Sequence, residues 1–150
     1  MKRATFYLIE HGAQIYGLSP EEILTCEFSA QHWRVGKKIQ ILCEEKAQAA
    51  RLDDALWLYP SYTFIPHHLS GEGPKQGATV EMIWPDCLSH HSADLLINLL
   101  SECIDFVDRF TEIIDFVPYK TTLKQLARAR YAYYRQLGFN LITTSHPLSK

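Results

Sequence analysis

Short apolar runs alternate with longer amphipathic stretches along this chain of 150 residues. The runs are ATFYLI (4–9), KIQILC (38–43), DLLINLL (94–100) and EIIDFV (112–117). Nearly continuous apolar runs of this length are typical of strands that are buried on both faces of a parallel sheet. Because helices must then cover both faces, the alternation predicts a single α/β domain, Rossmann-like or helicase-like, with a mostly parallel sheet flanked by helices.

The stretches between these runs carry the signals with which helices begin and end. The first, 18–38, has a Ser-Pro pair followed by a glutamate, which predicts an N-cap, a proline in the first turn and a capping box. The second, 44–59, has acids in its first turn, and the last, 119–138, follows a proline and ends at a glycine. A further strand is predicted over 78–84, and 102–110 has a helix-like pattern.

The composition narrows the classes of function. Hydrophobic residues make up 47% of the chain, which suits one domain over 1–150, with a tail after about 141 that we expect to be flexible. The net charge of -2 at pH 7 argues against a general nucleic-acid binder, whose affinity comes from a strongly positive surface. No stretch approaches the roughly 18 uncharged residues of a membrane span.

The cysteines predict neither a zinc site nor a disulfide. They are scattered, without a CxxC pair, at Cys26, Cys43, Cys87 and Cys103. Disulfides would require an export signal, and the N-terminal apolar run is too short for one and ends in Glu10. We therefore expect reduced, structural thiols in a cytoplasmic protein.

A parallel α/β sheet suggests nucleotide binding, but the sequence lacks a phosphate-binding loop. The segment after the first strand, EHGAQIYGLSPEE, matches neither G-x-G-x-x-G nor G-x-x-x-x-G-K-[ST]. The glycine-rich segment SGEGPKQG (70–77) precedes a strand rather than a helix, and Pro74 lacks the N–H that a phosphate would need. We interpret this segment as a flexible loop.

Histidines occur in two adjacent pairs, His67-His68 and His90-His91. Neighbouring residues of a strand point to opposite faces, so one pair cannot supply two metal ligands to one side. No acid or cysteine stands at an offset that would complete a zinc site, and no G-x-S-x-G motif is present. The sequence therefore predicts no metal, no cofactor and no catalytic residue.

The last predicted helix sorts into two faces at 100° per residue. Its core-facing side chains are Leu123, Leu126, Ala127, Tyr134 and Leu137. Beside them runs a cationic stripe, which comprises Lys120, Lys124, Arg128, Tyr131 and Arg135. Arg130 falls within the apolar face, where we expect it to pair with an acid such as Asp115.

The cationic stripe admits more than one target. No acid lies between residues 119 and 138, so the cations repel one another, although a solvated surface remains one interpretation. The acidic balance elsewhere argues against nucleic acid, and the lack of a broad free apolar face argues against a membrane. A short acidic peptide with one apolar anchor fits the size of the stripe best.

A second candidate surface lies in ALWLYPSYTFIPHHL (55–69), where a helix ends and a proline-bounded connection follows. Its aromatic residues are Trp57, Tyr59, Tyr62 and Phe64. Two interpretations stay open for them. They are either buried under a loop or exposed as the anchors of a protein interface.

Several blocks occur in an order known from one family: ATFYLI, HWRVGKK, RLDDALW, FIPHHLSGEGP, VEMIWP, TEIIDFVPY, LKQLARARY and GFN. With these blocks the chain resembles the chi subunit of bacterial DNA polymerase III over essentially its whole length, up to about residue 140. The resemblance implies a Rossmann-like fold without nucleotide-binding machinery. It also implies a non-catalytic replication adaptor of the clamp-loader assembly, located in the bacterial cytoplasm at the replication fork.

The resemblance further implies two protein partners, with nucleic acid contacted only indirectly. One is the psi subunit, which forms a heterodimer with chi through a surface that matches Trp57 and Phe64 here, with Pro66 nearby. The other is the acidic C-terminal tail of single-stranded DNA-binding protein, which ends in Pro-Phe and a free carboxylate. The residues that match the tail site are Lys124, Arg128 and Arg135, with Val117 and Tyr131 at the phenylalanine pocket and Lys120 on the same stripe.

One position departs from the family pattern: a known relative has lysine where this chain has Ala132. Lys120, on the same stripe, is the residue that would compensate. Two alternative functions stay open, a degenerate nucleotide-binding α/β protein and a module that binds DNA directly. The first predicts a nucleotide-induced shift in melting temperature, and the second predicts steeply salt-dependent binding to bare oligonucleotides.

Overall fold

One sheet of seven strands runs through the computed structural model, which describes residues 1–58, 65–73 and 79–146. In chain order the elements are β1 (Arg3–Leu8), α1 (Pro20–Arg34), β2 (Ile39–Leu42), α2 (Lys46–Leu58), β3 (His67–Leu69), β4 (Val80–Ile83), β5 (Leu95–Asn98), a 3₁₀ helix (Asp105–Arg109), β6 (Glu112–Val117), α3 (Thr121–Gln136) and β7 (Asn140–Ser145). The strands lie in the order β3-β4-β2-β5-β6-β1-β7, and all pair in parallel. The predicted α/β fold and its parallel sheet are confirmed.

Helices cover both faces of the sheet and divide the apolar interior into two cores. Residues of α1 and α2 pack against one face, together with Ile39 and Ile41 of β2. Tyr134 of α3 and Val107 of the 3₁₀ helix pack against the other face, together with Leu42. Successive side chains of a strand point to opposite faces, so a strand covered on both sides must be apolar throughout. Coverage of the strands by helices on both faces therefore explains the continuous apolar runs in the sequence.

The predicted start of α1 is confirmed in detail. The Ser19 hydroxyl accepts the N–H of Glu22 at 3.2 Å, and the Glu22 carboxylate accepts the N–H of Ser19 at 3.0 Å. This closed capping box satisfies the first orphan donors of the helix. The helix ends shortly before Gly36, whose φ of +85° is a conformation that glycine adopts readily.

The two edge strands, β3 and β7, were not predicted from the sequence. β3 is three residues long and lies in the proline- and glycine-rich middle of the chain. β7, with the sequence NLITTS, is mostly exposed and lies in a stretch expected to begin a tail. β7 gives a weak sequence signal because much of its surface meets water and little apolar periodicity is required. β3 is mostly buried, but three residues are too few to show a periodicity.

The helix α3 presents nearly the predicted face to the sheet, but one predicted core position is exposed. Ala127, Arg130 and Tyr134 are buried, whereas Leu126 is 40% exposed. At 100° per residue, Leu126 lies about 80° from the centre of the buried face. The predicted core position of Leu126 is therefore wrong, because the buried face centres on Ala127, Arg130 and Tyr134 and Leu126 lies at its margin.

The predicted pairing of Arg130 with Asp115 is confirmed, and the pair lies within a buried network. Arg130 Nε donates to Asp115 Oδ2 at 2.9 Å, and Nη2 donates to Oδ1 at 3.1 Å. The same carboxylate accepts the Tyr134 hydroxyl at 2.8 Å and the Asn98 amide at 3.0 Å. Burial alone would lower the pKa of Arg130, but the charge of Asp115 and its hydrogen bonds, with smaller contributions from Tyr134 and Cys103, together raise that pKa. The network ties α3 to β5 and β6.

All four cysteines are free thiols in the structure, as the sequence predicts. Cys26 and Cys43 are buried, and burial raises the pKa of the Cys26 thiol to about 12. A thiol in such surroundings is protonated and unreactive at neutral pH, which fits a structural role. None of the described helices is long and apolar enough to cross a membrane.

Replacing Arg130 tests the buried network. We expect Arg130→Ala to lower the free energy of unfolding by about 3–5 kcal/mol, because the Asp115 carboxylate stays buried without its partner. Arg128→Ala is the matched control, since Arg128 is exposed on the same helix and its loss should change stability by less than about 0.5 kcal/mol. Urea-induced unfolding measures both, and equal losses would contradict the assigned role of Arg130.

Candidate functional site

The cationic stripe lies along the exposed side of α3. Lys124, Arg128 and Arg135 are exposed, and none of them forms a salt bridge with a described residue. Lys120 is also exposed, but it occupies the N-cap of α3 in an extended conformation. The stripe therefore begins one position outside the helix, and its charge is directed to solvent, where it attracts anions.

An apolar cavity of about 240 Å³ opens beside the stripe, between α3 and the sheet. It is lined by Phe6, Val117, Ala127, Arg128, Tyr131 and Thr143. The structure thus brings together Val117, Arg128 and Tyr131, which the family resemblance assigned to one site. Phe6 and Thr143 were missed, because their place in the lining depends on how β1 and the unpredicted β7 lie beside α3.

Tyr131 contacts both a core residue and a cation of the stripe. Its ring centroid lies 5.4 Å from that of Phe6, and the guanidinium carbon of Arg135 lies 5.1 Å from the Tyr131 centroid. This cation–π contact holds Arg135 against the aromatic wall without neutralising its charge. The site is therefore apolar within and cationic at its rim, which suits an apolar side chain attached to a carboxylate.

The second predicted surface centres on Trp57, which is 60% exposed near the end of α2. Its indole packs edge-on against the imidazole of His67, with 5.1 Å between ring centroids. His67 Nδ1 lies 2.7 Å from the carbonyl oxygen of Ile65, which fixes the imidazole beneath Trp57. Pro66 is exposed next to this contact, whereas Phe64 lies outside the described residues. For Trp57, the interpretation of burial under a loop is thereby ruled out.

A further apolar notch near the end of α2 was not predicted. It is a cavity of about 250 Å³ lined by Tyr16, Gly17, Leu18, Arg51, Asp54, Ala55 and Leu58. Tyr16 is 84% exposed and Leu58 is 77% exposed. Tyr16 has a φ of 54° at the tip of a tight turn, a conformation that costs energy for a residue other than glycine. Exposed apolar surface of this kind marks a second place on the α2 side where a partner could pack.

Acids line the carboxyl ends of the strands, where parallel α/β folds bind nucleotides. A cavity of about 180 Å³ lies there, and its lining includes Glu21, Glu44 and Asp115. The N-terminus of α1 is closed by its own Glu22, through the capping box. Asp115 is already paired with Arg130, which also lines the cavity, but the carboxylates of Glu21 and Glu44 repel phosphate. The geometry therefore disfavours the nucleotide-binding alternative.

One histidine of each pair meets the same buried carboxylate. His68 Nε2 lies 3.8 Å and His91 Nδ1 lies 3.2 Å from Oε2 of Glu81, and the Gln40 amide donates to its Oε1 at 2.9 Å. Sequence reasoning missed this cluster, because His68, Glu81 and His91 lie in three different segments that only the sheet brings together. These contacts tie β3 and the segment before β5 to β4. Among the described residues, no group of three or more His, Cys, Asp or Glu is placed to hold a metal ion.

Comparison with known proteins agrees with this description. The sequence model of the family described as DNA polymerase III chi subunit, HolC, matches residues 1–142. The chain belongs to this family. The DNA polymerase III subunit chi of Escherichia coli (strain K12) is 52% identical over 145 residues, which cover 97% of this chain and 99% of that protein. The resemblance drawn from the sequence blocks is thereby confirmed.

More distant relatives match over nearly the same length. The DNA polymerase III subunit chi of Haemophilus influenzae is 43% identical over 142 residues, covering 95% of this chain and 96% of that protein. The corresponding subunit of Pseudomonas aeruginosa is 30% identical over 141 residues, covering 94% of each. The family match includes all of α2 and α3, so the elements that carry both candidate surfaces lie within it.

Proposed function

We propose that this chain is a non-catalytic subunit of a bacterial DNA polymerase III, acting as an adaptor of its clamp-loader assembly. It binds the psi subunit around Trp57, and it binds the acidic tail of single-stranded DNA-binding protein at the cationic stripe. It does so in the cytoplasm, at the replication fork. The observation that best supports the proposed tail-binding site is the apolar cavity with a cationic rim, where Val117, Arg128 and Tyr131 meet.

The cavity and its rim match the chemistry of a peptide that ends in phenylalanine. At about 240 Å³, the cavity is large enough for one aromatic side chain. The terminal carboxylate beside that side chain meets Arg128, whose planar guanidinium binds a carboxylate through two parallel hydrogen bonds. Acidic residues further along the peptide lie within the field of Lys124 and Arg135.

The two proposed surfaces lie on opposite faces of the sheet. Trp57 belongs to α2, which packs on one face, and the stripe belongs to α3, which packs on the other. A partner on one face therefore leaves the other face open. This separation supports an adaptor that holds both partners at once.

Each tail contact is expected to be weak, and repetition compensates for this. Exposed ion pairs contribute only about 0.2–1 kcal/mol each, and salt screens them. Single-stranded DNA that is coated by its binding protein offers many tails, so that a released tail is replaced by a neighbour at high effective concentration. Tethering of the polymerase assembly to its template follows from many such contacts.

Arg128→Ala tests the tail site. We expect the affinity for an acidic tail peptide to fall by about 1–3 kcal/mol, because the contact involves a charged group, while psi binding is retained. Lys46→Ala is the control, since Lys46 is an exposed cation on α2, on the other side of the sheet. Fluorescence anisotropy of a labelled peptide measures both variants, and unchanged affinity for Arg128→Ala would rule out its role.

Trp57→Ala should have the reverse effect. Loss of an exposed aromatic anchor is expected to weaken psi binding by about 2 kcal/mol or more, with the tail affinity unchanged. Co-purification of the variant with tagged psi, followed by a tail-peptide titration on the same sample, separates the two activities. If psi still co-purifies at the wild-type ratio, Trp57 is not part of the interface.

Ala132 offers a gain-of-function test at the position that departs from the family. Ala132 is exposed one turn after Arg128, so a lysine there extends the stripe. We expect Ala132→Lys to raise tail affinity roughly two- to fivefold at low salt, with the gain vanishing as salt rises. Ala132→Gln supplies a long side chain without charge, and an equal gain from it would contradict an electrostatic cause.

A further inference from the structure

The outer edge of β7 lies open beside the tail cavity. β7 pairs with β1 in parallel over six residues, and no other described strand lies beyond it. Exposed sheet edges are usually protected by proline, lysine or a bulge, because their backbone groups can pair with another chain. The sequence of β7, NLITTS, has neither proline nor any charge. This edge is therefore available for pairing.

The direction of the backbone groups of β7 follows from one hydrogen bond. Asn140 N–H donates to the carbonyl oxygen of Lys2 at 2.8 Å, so Asn140 faces β1. Backbone groups alternate in direction along a strand. Leu141, Thr143 and Ser145 consequently direct their N–H and C=O groups away from β1, toward the open side.

The stripe and β7 both border the cavity. Thr143 connects them, since its side chain lines the cavity together with Arg128 and Tyr131. From Lys124 to Arg135 the helix rises by about 16 Å, and a strand of the length of β7 spans about 20 Å. Both lengths therefore match an extended peptide of five or six residues.

We propose that the acidic peptide pairs with the outer edge of β7 as an eighth strand while its terminal aromatic side chain fills the cavity. This rests on the proposed function, because it describes how the same site holds its ligand. Main-chain hydrogen bonds supply affinity, and every second side chain of the peptide faces α3 and its cations. A second copy of this chain is the less suitable occupant, since it would bring its own cationic stripe against this one.

Amide hydrogen exchange tests the pairing directly. In the free protein, the outward N–H groups of Leu141 and Thr143 should exchange quickly, whereas those of Ile142 and Thr144, which face β1, are protected. Saturation with a synthetic acidic peptide ending in phenylalanine should slow exchange at Leu141 and Thr143 by roughly tenfold or more. No added protection at these amides, in a complex that anisotropy shows to be saturated, would overturn strand pairing and leave the tail site intact.

A backbone scan of the peptide provides the second measurement. Each peptide carries one N-methyl group, which removes a single main-chain donor. Strand pairing predicts that affinity falls roughly three- to tenfold at every second position and changes little between them, while Arg128→Ala weakens all peptides alike. A uniform response along the peptide would overturn strand pairing.

Two further outcomes would also overturn it. Protection of the β7 amides that needs no peptide and rises with protein concentration would indicate pairing between two copies of this chain. A peptide that does not bind at all would overturn both this inference and the proposed tail site.

Discussion

The buried ion pair between Arg130 and Asp115 determines how α3 lies on the sheet. Two charges removed from water are tolerated only when hydrogen bonds satisfy their remaining groups, and here the guanidinium also donates to the carbonyl oxygens of Ser101 at 2.9 Å and Phe116 at 3.0 Å. An apolar residue at position 130 would be buried as readily, but it would lack the directional bonds that set the rotation of the helix. The same rotation exposes Arg128 to solvent. The buried charge of Arg130 therefore helps to set where the exposed cations of the stripe lie.

The sheet is the element that keeps the two candidate surfaces apart. Its central strands, β2 and β5, are buried along their whole length, so neither face can shift without disturbing a packed core. One candidate surface is built on the α2 side and the other on the α3 side. A subunit of 150 residues can thus offer two docking sites without a second domain or a flexible linker.

Local pattern was sufficient to predict the interior of this fold. The apolar runs identified the central strands, and the Ser-Pro-Glu-Glu segment identified the start of α1. The pairing of Arg130 was also predictable, because a charge on an apolar helix face must be compensated by a partner. Such reasoning could not predict the exact lining of the cavity beside α3. Phe6 and Thr143 enter it only through the packing of β1 and β7 beside α3, and the exposure of Leu126 follows from a helix rotation that tertiary contacts decide. Tyr16 carries no sequence signal, since its strained turn is stabilised by the surrounding structure.

Two cations of α3, Lys124 and Arg128, form no salt bridge with any described residue, and this has a kinetic consequence. A ligand that reaches Lys124 or Arg128 has no salt bridge with a described residue to displace, so it meets a site that is already arranged for it. Attraction between opposite charges accelerates encounter, whereas a few exposed contacts release the ligand soon afterwards. Contacts of this kind are short-lived one at a time. Under the proposed function, an assembly attached through several such contacts can exchange one anchor point for the next while it moves, without detaching completely.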